Sequence, residues 1–218
     1  EMFELADGAI MSAKKDGLVN MGGFMALKDK KIADACTNLL IIKEGYVTYG
    51  GLSGRDMEAI AQGLKEVFDK DYLHYRIKST TLSTQRLISA SLRLTLPIIQ
   101  PVGGHAVYID AKELYSHIPV HEYPGQSLVC DIYFKGGIRC VEIGSVMFGR
   151  YDNSGKLIPA NMELVRLAIP RRVYTQSHID FVIETLKFVV DDKKKARGMK
   201  ITYEPEFLRH FTAHFEYI

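Results

Sequence analysis

From residue 105 onward the apolar residues switch between two spacings, and that switch most limits the folds open to this chain. His105-Ala106-Val107-Tyr108-Ile109-Asp110 alternates faces after Gly103-Gly104, and Ile138 to Gly144 does the same after Gly136-Gly137. A period of two is the signature of a strand. Leu164 to Ile169 is a third such segment, in which Val165, Leu167 and Ile169 share one face and Arg166 points to the other. Between about His178 and Val190 the period changes, and Ile179, Val182, Ile183, Leu186, Val189 and Val190 fall at the three-four spacing of a helix face. A last strand is expected near Met199 to Tyr203, ending at Pro205. Strands and helices interleaved in this way predict an α+β domain of about 140 residues, an ordinary domain size.

The earlier residues read differently. Ala9 to Ala13 is short and apolar, and Gly22-Gly23-Phe24-Met25-Ala26-Leu27 reads as a turn entering a buried strand. The polar triplet Lys14-Lys15-Asp16 sits between them, where burial without partners would be costly. The turn Tyr49-Gly50-Gly51-Leu52-Ser53-Gly54 precedes a helix whose buried face is expected to hold Met57, Ile60, Ala61, Leu64, Val67 and Phe68. Ser53 with Asp56 three residues on has the spacing of a helix-start capping pair. A second, longer helix is expected from Asp71 to Leu96, ended by Pro97. The domain boundary is expected near residue 70, which divides the chain into 1–70 and 71–218. No internal repeat and no low-complexity tract interrupts this order.

Composition narrows the function classes. The net charge of +2 gives no strong field toward nucleic acid or an anionic membrane. The run Lys193-Lys194-Lys195-Ala196-Arg197 abuts Asp191-Asp192 at a helix end, which suits a solvated cap better than a nucleic-acid site. No apolar run approaches the roughly 20 residues that cross a bilayer, and Glu1-Met2-Phe3-Glu4 does not resemble a secretory signal. Cys36, Cys130 and Cys140 form no CxxC pair, so a reduced, cytoplasmic compartment is expected. The chain opens on Glu1 and runs at once into motif-dense sequence, from which an upstream portion is expected.

By themselves, two lysines between apolar segments leave two readings open. They are a solvated turn, or one of them is an amine held for covalent chemistry with a carbonyl group. A series of motifs favours the second. Met11-Ser12-Ala13-Lys14-Lys15-Asp16, Met21-Gly22-Gly23, Glu44-Gly45 and Thr48-Tyr49-Gly50-Gly51-Leu52 are followed by Gly103-Gly104-His105-Ala106 and Val141-Glu142-Ile143-Gly144. Val165-Arg166-Leu167, Ile169-Pro170-Arg171, Tyr203-Glu204-Pro205 and Leu208-Arg209-His210-Phe211-Thr212-Ala213 complete the series. In order and spacing this resembles the C-terminal half of the β-eliminating lyases, the pyridoxal-phosphate family of tryptophanase and tyrosine phenol-lyase.

The resemblance implies an α/β fold. The chain would be the C-terminal part of a fold-type I (aspartate aminotransferase-like) enzyme, with residues 1–70 as the tail of the large cofactor domain and 71–218 as connector helix and small α+β domain. It implies pyridoxal 5'-phosphate on Lys15 as a Schiff base, with Ser12 donating near the cofactor phosphate. Lys14 aligns with a neighbour that tunes charge and water there, or is a solvated partner of Asp16. Arg166 aligns with the arginine that binds the substrate α-carboxylate through a planar fork. Asn20 aligns with a position whose main-chain carbonyl helps hold a monovalent cation, potassium.

At the leaving-group pocket the resemblance implies Ile143 and His210. An isoleucine suits an apolar indole, whereas the tyrosine-cleaving branch carries an arginine there that bonds a phenolic oxygen. His210 either bonds near the indole nitrogen or is a satisfied core histidine. Tryptophan cleavage is therefore favoured over tyrosine cleavage, although Asn20, Gly54-Arg55-Asp56-Met57-Glu58-Ala59 and Arg171-Arg172-Val173-Tyr174-Thr175 read more like the phenol-lyase branch. The family's partner for the pyridine nitrogen and most of its phosphate-binding groups lie upstream of the lysine. Activity is accordingly expected only with an N-terminal half, in a homotetramer-like assembly. A non-catalytic assembly subunit is the contrasting possibility, and retention of Lys15 and Arg166 argues against it.

Overall fold

The computed structural model describes residues 2–101, 105–170 and 173–218, with the side chains at 2, 16 and 75–84 outside the description. The expected turn at Gly103-Gly104, the Arg171-Arg172 portion of the family motifs and the side chain of Asp16 therefore lie outside the described residues. The chain divides into two units, Glu1–Arg76 and Ile77–Ile218.

In the first unit, strand β1 (Gly8–Ser12) leads through the single turn α1 (Ala13–Asp16) to strand β2 (Gly23–Leu27). The strands pair antiparallel from Gly8↔Leu27 to Ser12↔Gly23, so the lysine turn is the loop of a hairpin. Helices α2 (Lys30–Lys43) and α3 (Gly54–Glu66) follow, and α4 (Lys70–Leu94) begins here. Each start is capped as its sequence suggests. Asp29 accepts from the Ile32 N–H, Ser53 from the Asp56 N–H, and Asp69 from the Asp71 and Tyr72 N–H groups. The expected Ser53–Asp56 pair is thus present, and the Ser53 hydroxyl also donates to Asp56 Oδ2 at 2.7 Å.

Two expectations about burial fail in this unit. Strand β2 was expected to be buried, yet Gly23 to Ala26 are exposed. Met57, Ala61 and Phe68 are exposed as well, and of α3 only Gly63 is fully buried. Helix α2 explains why the pattern misleads. Ile32, Ala35, Cys36, Leu39 and Leu40 have the spacing of one helix face, the pattern of a face that seeks cover. None of the residues of this helix is buried, and sequence reasoning passed over it.

The second unit is built on an antiparallel sheet. Strand β3 (Ala106–Asp110) runs into the one-turn helix α5 (Ala111–Leu114), then helix α6 (Pro124–Gly136), strand β4 (Val141–Ile143) and the one-turn helix α7 (Ser145–Phe148). The short hairpin β5 (Arg150–Tyr151) and β6 (Leu157–Ile158) precedes strand β7 (Leu164–Ala168) and helix α8 (Gln176–Asp191). Strand β8 (Met199–Tyr203), the one-turn helix α9 (Arg209–Thr212) and strand β9 (His214–Tyr217) end the chain. The sheet order is β3-β7-β4, with β7 in the middle, and β8 pairs with β9.

Helix α6 was not anticipated. It carries proline at its first position and stops at Gly137, whose φ of 64° is the left-handed conformation that favours glycine. It packs on α8, β4 and β7. The expected strand from Ile138 to Gly144 shrinks to Val141–Ile143, because only those residues find ladder partners on β7. The core joins Val107 and Ile109 of β3, Leu128 and Ile132 of α6, Val165 and Leu167 of β7, and Ile179, Leu186 and Val189 of α8. Each of these larger side chains stabilises the fold by about 1.5–3 kcal/mol on leaving water. The strand and helix periods read from the sequence therefore point where they were expected to point in this unit.

Candidate active site

Ser12 ends β1 and occupies the N-cap position of α1 without making a side-chain capping bond. Ala13 is fully buried, its N–H donating to the Gly22 carbonyl at 2.9 Å, and the Gly17 N–H closes the turn onto the Ala13 carbonyl at 2.6 Å. The base of the hairpin loop is thereby pinned while Lys14 and Lys15 extend outward, both exposed. Helix α3 backs the turn. A Cβ at Gly63 would sit 1.8 Å from the Gly17 carbonyl oxygen, so only glycine lets the helix backbone approach this closely. Asn20 is exposed in the segment that returns to β2.

In the second unit, pairing across β7 determines which residues share a face. Arg166 pairs with Tyr108 on one side and Val141 on the other, and Leu164 pairs with Ile143. Paired residues of antiparallel strands project to the same side. Arg166 and Ile143 are therefore diagonal neighbours on the sheet face opposite the helices, while Val165 and Leu167 enter the core. Arg166 Nε is buried and finds no hydrogen-bond acceptor among the described residues. A buried donor left unpaired costs about 1–3 kcal/mol, so this guanidinium suits an anionic, planar acceptor. Beside it, Ile143 and Phe148 line an open cleft with Ile158, Pro159, Met162 and Leu164. His210 is half-buried, and its ring lies 4.1 Å from that of Phe211, tilted by 41°.

A buried polar cluster beside that cleft was not anticipated. Glu142 faces the core side of the sheet opposite Val165, and its carboxylate accepts from the Val146 and Met147 N–H groups, both at 3.1 Å. Glu163 accepts from the Ser145 N–H and hydroxyl. Burial pushes the Glu142 carboxyl up to about 7, with the nearby Glu163 charge acting the same way and the N–H donors opposing. Burial raises Glu163 also, against its bonds from Ser145. The available signal was a glutamate at an inward position of an alternating strand, in Val141-Glu142-Ile143.

The β-eliminating lyase profile matches residues 1–185 of this chain. The chain belongs to the β-eliminating lyase family. It is 59% identical to the tryptophanase of Salinibacter ruber, over 98% of this chain and 44% of that one. With the tyrosine phenol-lyase of Symbiobacterium thermophilum the identity is 45%, over 99% of this chain and 46% of the relative. The chain spans about half the length of the curated relatives it matches. Among solved structures it is similar to the serine palmitoyltransferase of Sphingomonas wittichii, with a TM-score of 0.50 and 11% identity over 88% of this chain and 41% of that one. That likeness concerns the fold alone and agrees with the expected α/β, fold-type I architecture. Family membership implies pyridoxal phosphate, and the lysine turn fits it with an outward-facing amine at Lys15 and a Ser12 hydroxyl that makes no capping bond. Among the described residues no helix is long and apolar enough to cross a membrane, and no group of three or more His, Cys, Asp or Glu could hold a metal ion.

Proposed function

We propose that this chain is the C-terminal half of a pyridoxal-phosphate lyase that converts L-tryptophan and water to indole, pyruvate and ammonia. Family membership supports the reaction class. The observation that carries the reading is the Arg166 guanidinium, whose buried Nε has no acceptor among the described residues, on the same sheet face as apolar Ile143. One holds a carboxylate and the other excludes water from an aryl group, as an aromatic amino acid requires. Bound pyridoxal phosphate supplies an electron sink for charge developing at the substrate α-carbon. Lys15 would hold it through its amine and would move the proton at the substrate α-carbon. Ser12 donates to the phosphate, and Lys14 tunes charge beside Lys15.

Arg166 fixes the rotation of the amino acid with two parallel hydrogen bonds, which selects the bond that breaks. Ile143 favours indole over phenol, whose hydroxyl would lose its partners there. His210 bonds near the indole nitrogen, and the Asn20 main-chain carbonyl helps hold a potassium ion. An N-terminal half completes the site in a homotetramer-like assembly. The apolar surface of the first unit supports such a companion, since Ile10, Ile42 and Phe68 are 81%, 78% and 79% exposed and its two-stranded sheet leaves both edges open.

Borohydride reduction of the assembled, cofactor-loaded protein, followed by peptide mass mapping, tests the assignment. The phosphopyridoxyl mass is expected on Lys15, and its appearance elsewhere refutes it. Comparing indole release from tryptophan with phenol release from tyrosine on the same sample tests the substrate.

A further inference from the structure

Helix α7 is a single turn held at both ends by buried charges. At its start, Glu142 takes the N–H groups of Val146 and Met147, and Glu163 takes the N–H and hydroxyl of Ser145. At its end, Arg209 donates from Nε to the Val146 carbonyl at 2.6 Å and from Nη2 to the carbonyls of Ser145, at 2.7 Å, and Gly149. Its remaining nitrogen, Nη1, bonds Glu204 at 2.8 Å, and Tyr151 donates to the same carboxylate. Glu142, Glu163, Ser145 and Arg209 are at most 9% exposed.

So short a helix needs no such apparatus for its own stability, because solvent or one capping side chain satisfies an ordinary turn. Burying two carboxylates and a guanidinium costs free energy that their hydrogen bonds only partly return. What the arrangement does provide is position. Glu142 precedes Ile143, and Glu163 lies between Met162 and Leu164; all three neighbours line the cleft. The Ser145 hydroxyl, fixed by Glu163, accepts from the N–H of Ala160, another lining residue. Phe148 is the last residue of the helix, the Gly149 carbonyl after it is held by Arg209, and His210 follows Arg209 directly. At Gly144 both carboxylates converge, and a Cβ there would lie 2.5 Å from Glu163 Oε2 and 2.6 Å from Glu142 Oε1.

We propose that Glu142, Glu163 and Arg209 are positioning residues that hold the cleft wall formed by Ile143, Ala160 and Phe148, and with it the His210 that follows Arg209, in register for an aromatic leaving group. They touch no substrate and act through the residues beside them. The inference rests on the lyase reading above. It says that the clamp governs selectivity between aryl and small leaving groups, leaving the α-carbon chemistry alone.

The test uses the assembled, cofactor-loaded protein with two substrates, tryptophan and S-methylcysteine, whose small leaving group needs no aryl wall. Arg209→Met and Glu163→Ala are expected to lower kcat/KM for tryptophan about ten- to a hundredfold through misplacement of the wall. S-methylcysteine turnover should stay close to that of the unsubstituted protein, and the shape-preserving Glu163→Gln should recover part of the tryptophan activity. Should Arg209→Met not fold, Ser145→Ala removes one strand of the clamp and predicts the same selective loss. Equal losses on both substrates, or none on tryptophan, overturn the positioning role. Elimination from neither substrate by the unsubstituted protein overturns the lyase reading itself, and the clamp's role with it.

Discussion

Substituting Gly63 by alanine sets two effects of opposite sign against each other. In a helix interior the change is worth about 1 kcal/mol in favour of alanine. At this position, however, the new methyl would lie 1.8 Å from the Gly17 carbonyl oxygen and 3.0 Å from its carbon. Ordinary contact begins near 3.4 Å, so helix and lysine turn must part by the difference from 1.8 Å, about 1.6 Å. The obstructing atom is main chain, and the Gly17 N–H is already committed to the Ala13 carbonyl, so no side-chain rotation relieves the clash. Overpacking of this kind costs about 1–3 kcal/mol; with the upper value appropriate to a backbone obstacle, the net loss is about 2 kcal/mol. Gly54→Ala is the control, since an added Cβ there meets nothing within 4 Å in the same helix. Chemical denaturation of the full-length protein should show Gly63→Ala destabilised and Gly54→Ala unchanged or more stable. The borohydride-trapped yield at Lys15 should fall only for Gly63→Ala. Equal stability of the two variants would show that α3 does not brace the lysine turn and would refute the reasoning.

The remaining expectations concern the second unit and the substrate. The folded-state value of about 7 for Glu142 lies above its ordinary 4.5, so the folded protein binds the proton more tightly than the unfolded chain does. The associated stability is full below about 4.5 and is lost as pH rises through about 7, a difference of about 3 kcal/mol. The groups facing this carboxyl are Glu163 and the main-chain N–H groups of Gly144, Val146 and Met147. Denaturation midpoints measured from pH 4.5 to 8 should flatten in Glu142→Gln, and an unchanged slope would contradict the assignment. Tyr115→Phe removes the hydroxyl that donates to Asp131 Oδ2 at 2.6 Å and should cost about 1–3 kcal/mol in urea titration, since the carboxylate loses its buried donor. Arg166→Lys replaces a fork by a single ammonium and should raise KM for the amino acid more than it lowers kcat, by about tenfold or more; an unchanged KM would remove Arg166 from carboxylate binding.

The two halves of the chain differed in how much of their structure could be read in advance. Strand β7 lies across a core that this chain completes itself, so the alternation of Val165, Leu167 and Ile169 against Arg166 translated directly into inward and outward positions. In and just after α3 the same kind of pattern predicted burial of Met57, Ala61 and Phe68 that the chain does not supply. Periodicity reports which face seeks cover, and it is silent on whether the cover belongs to the same chain. Likewise Lys14-Lys15 was readable only through a series of motifs, because a lysine pair in a turn has the same local spacing whether or not it does chemistry.

Local order along the chain therefore settled the strand and helix periods of the second unit, the Ser53 cap and the family to which the chain belongs. Each depends on residues a few positions apart or on their succession. The tertiary structure alone decided that Arg166 Nε is buried without an acceptor among the described residues, that Ile143 shares its sheet face, and that Glu142, Glu163 and Arg209 meet around one helical turn. Glu142 and Arg209 stand 67 positions apart in the sequence. Their meeting follows from strand pairing and the return of the chain past α7, and no short-range pattern encodes such long-range closure.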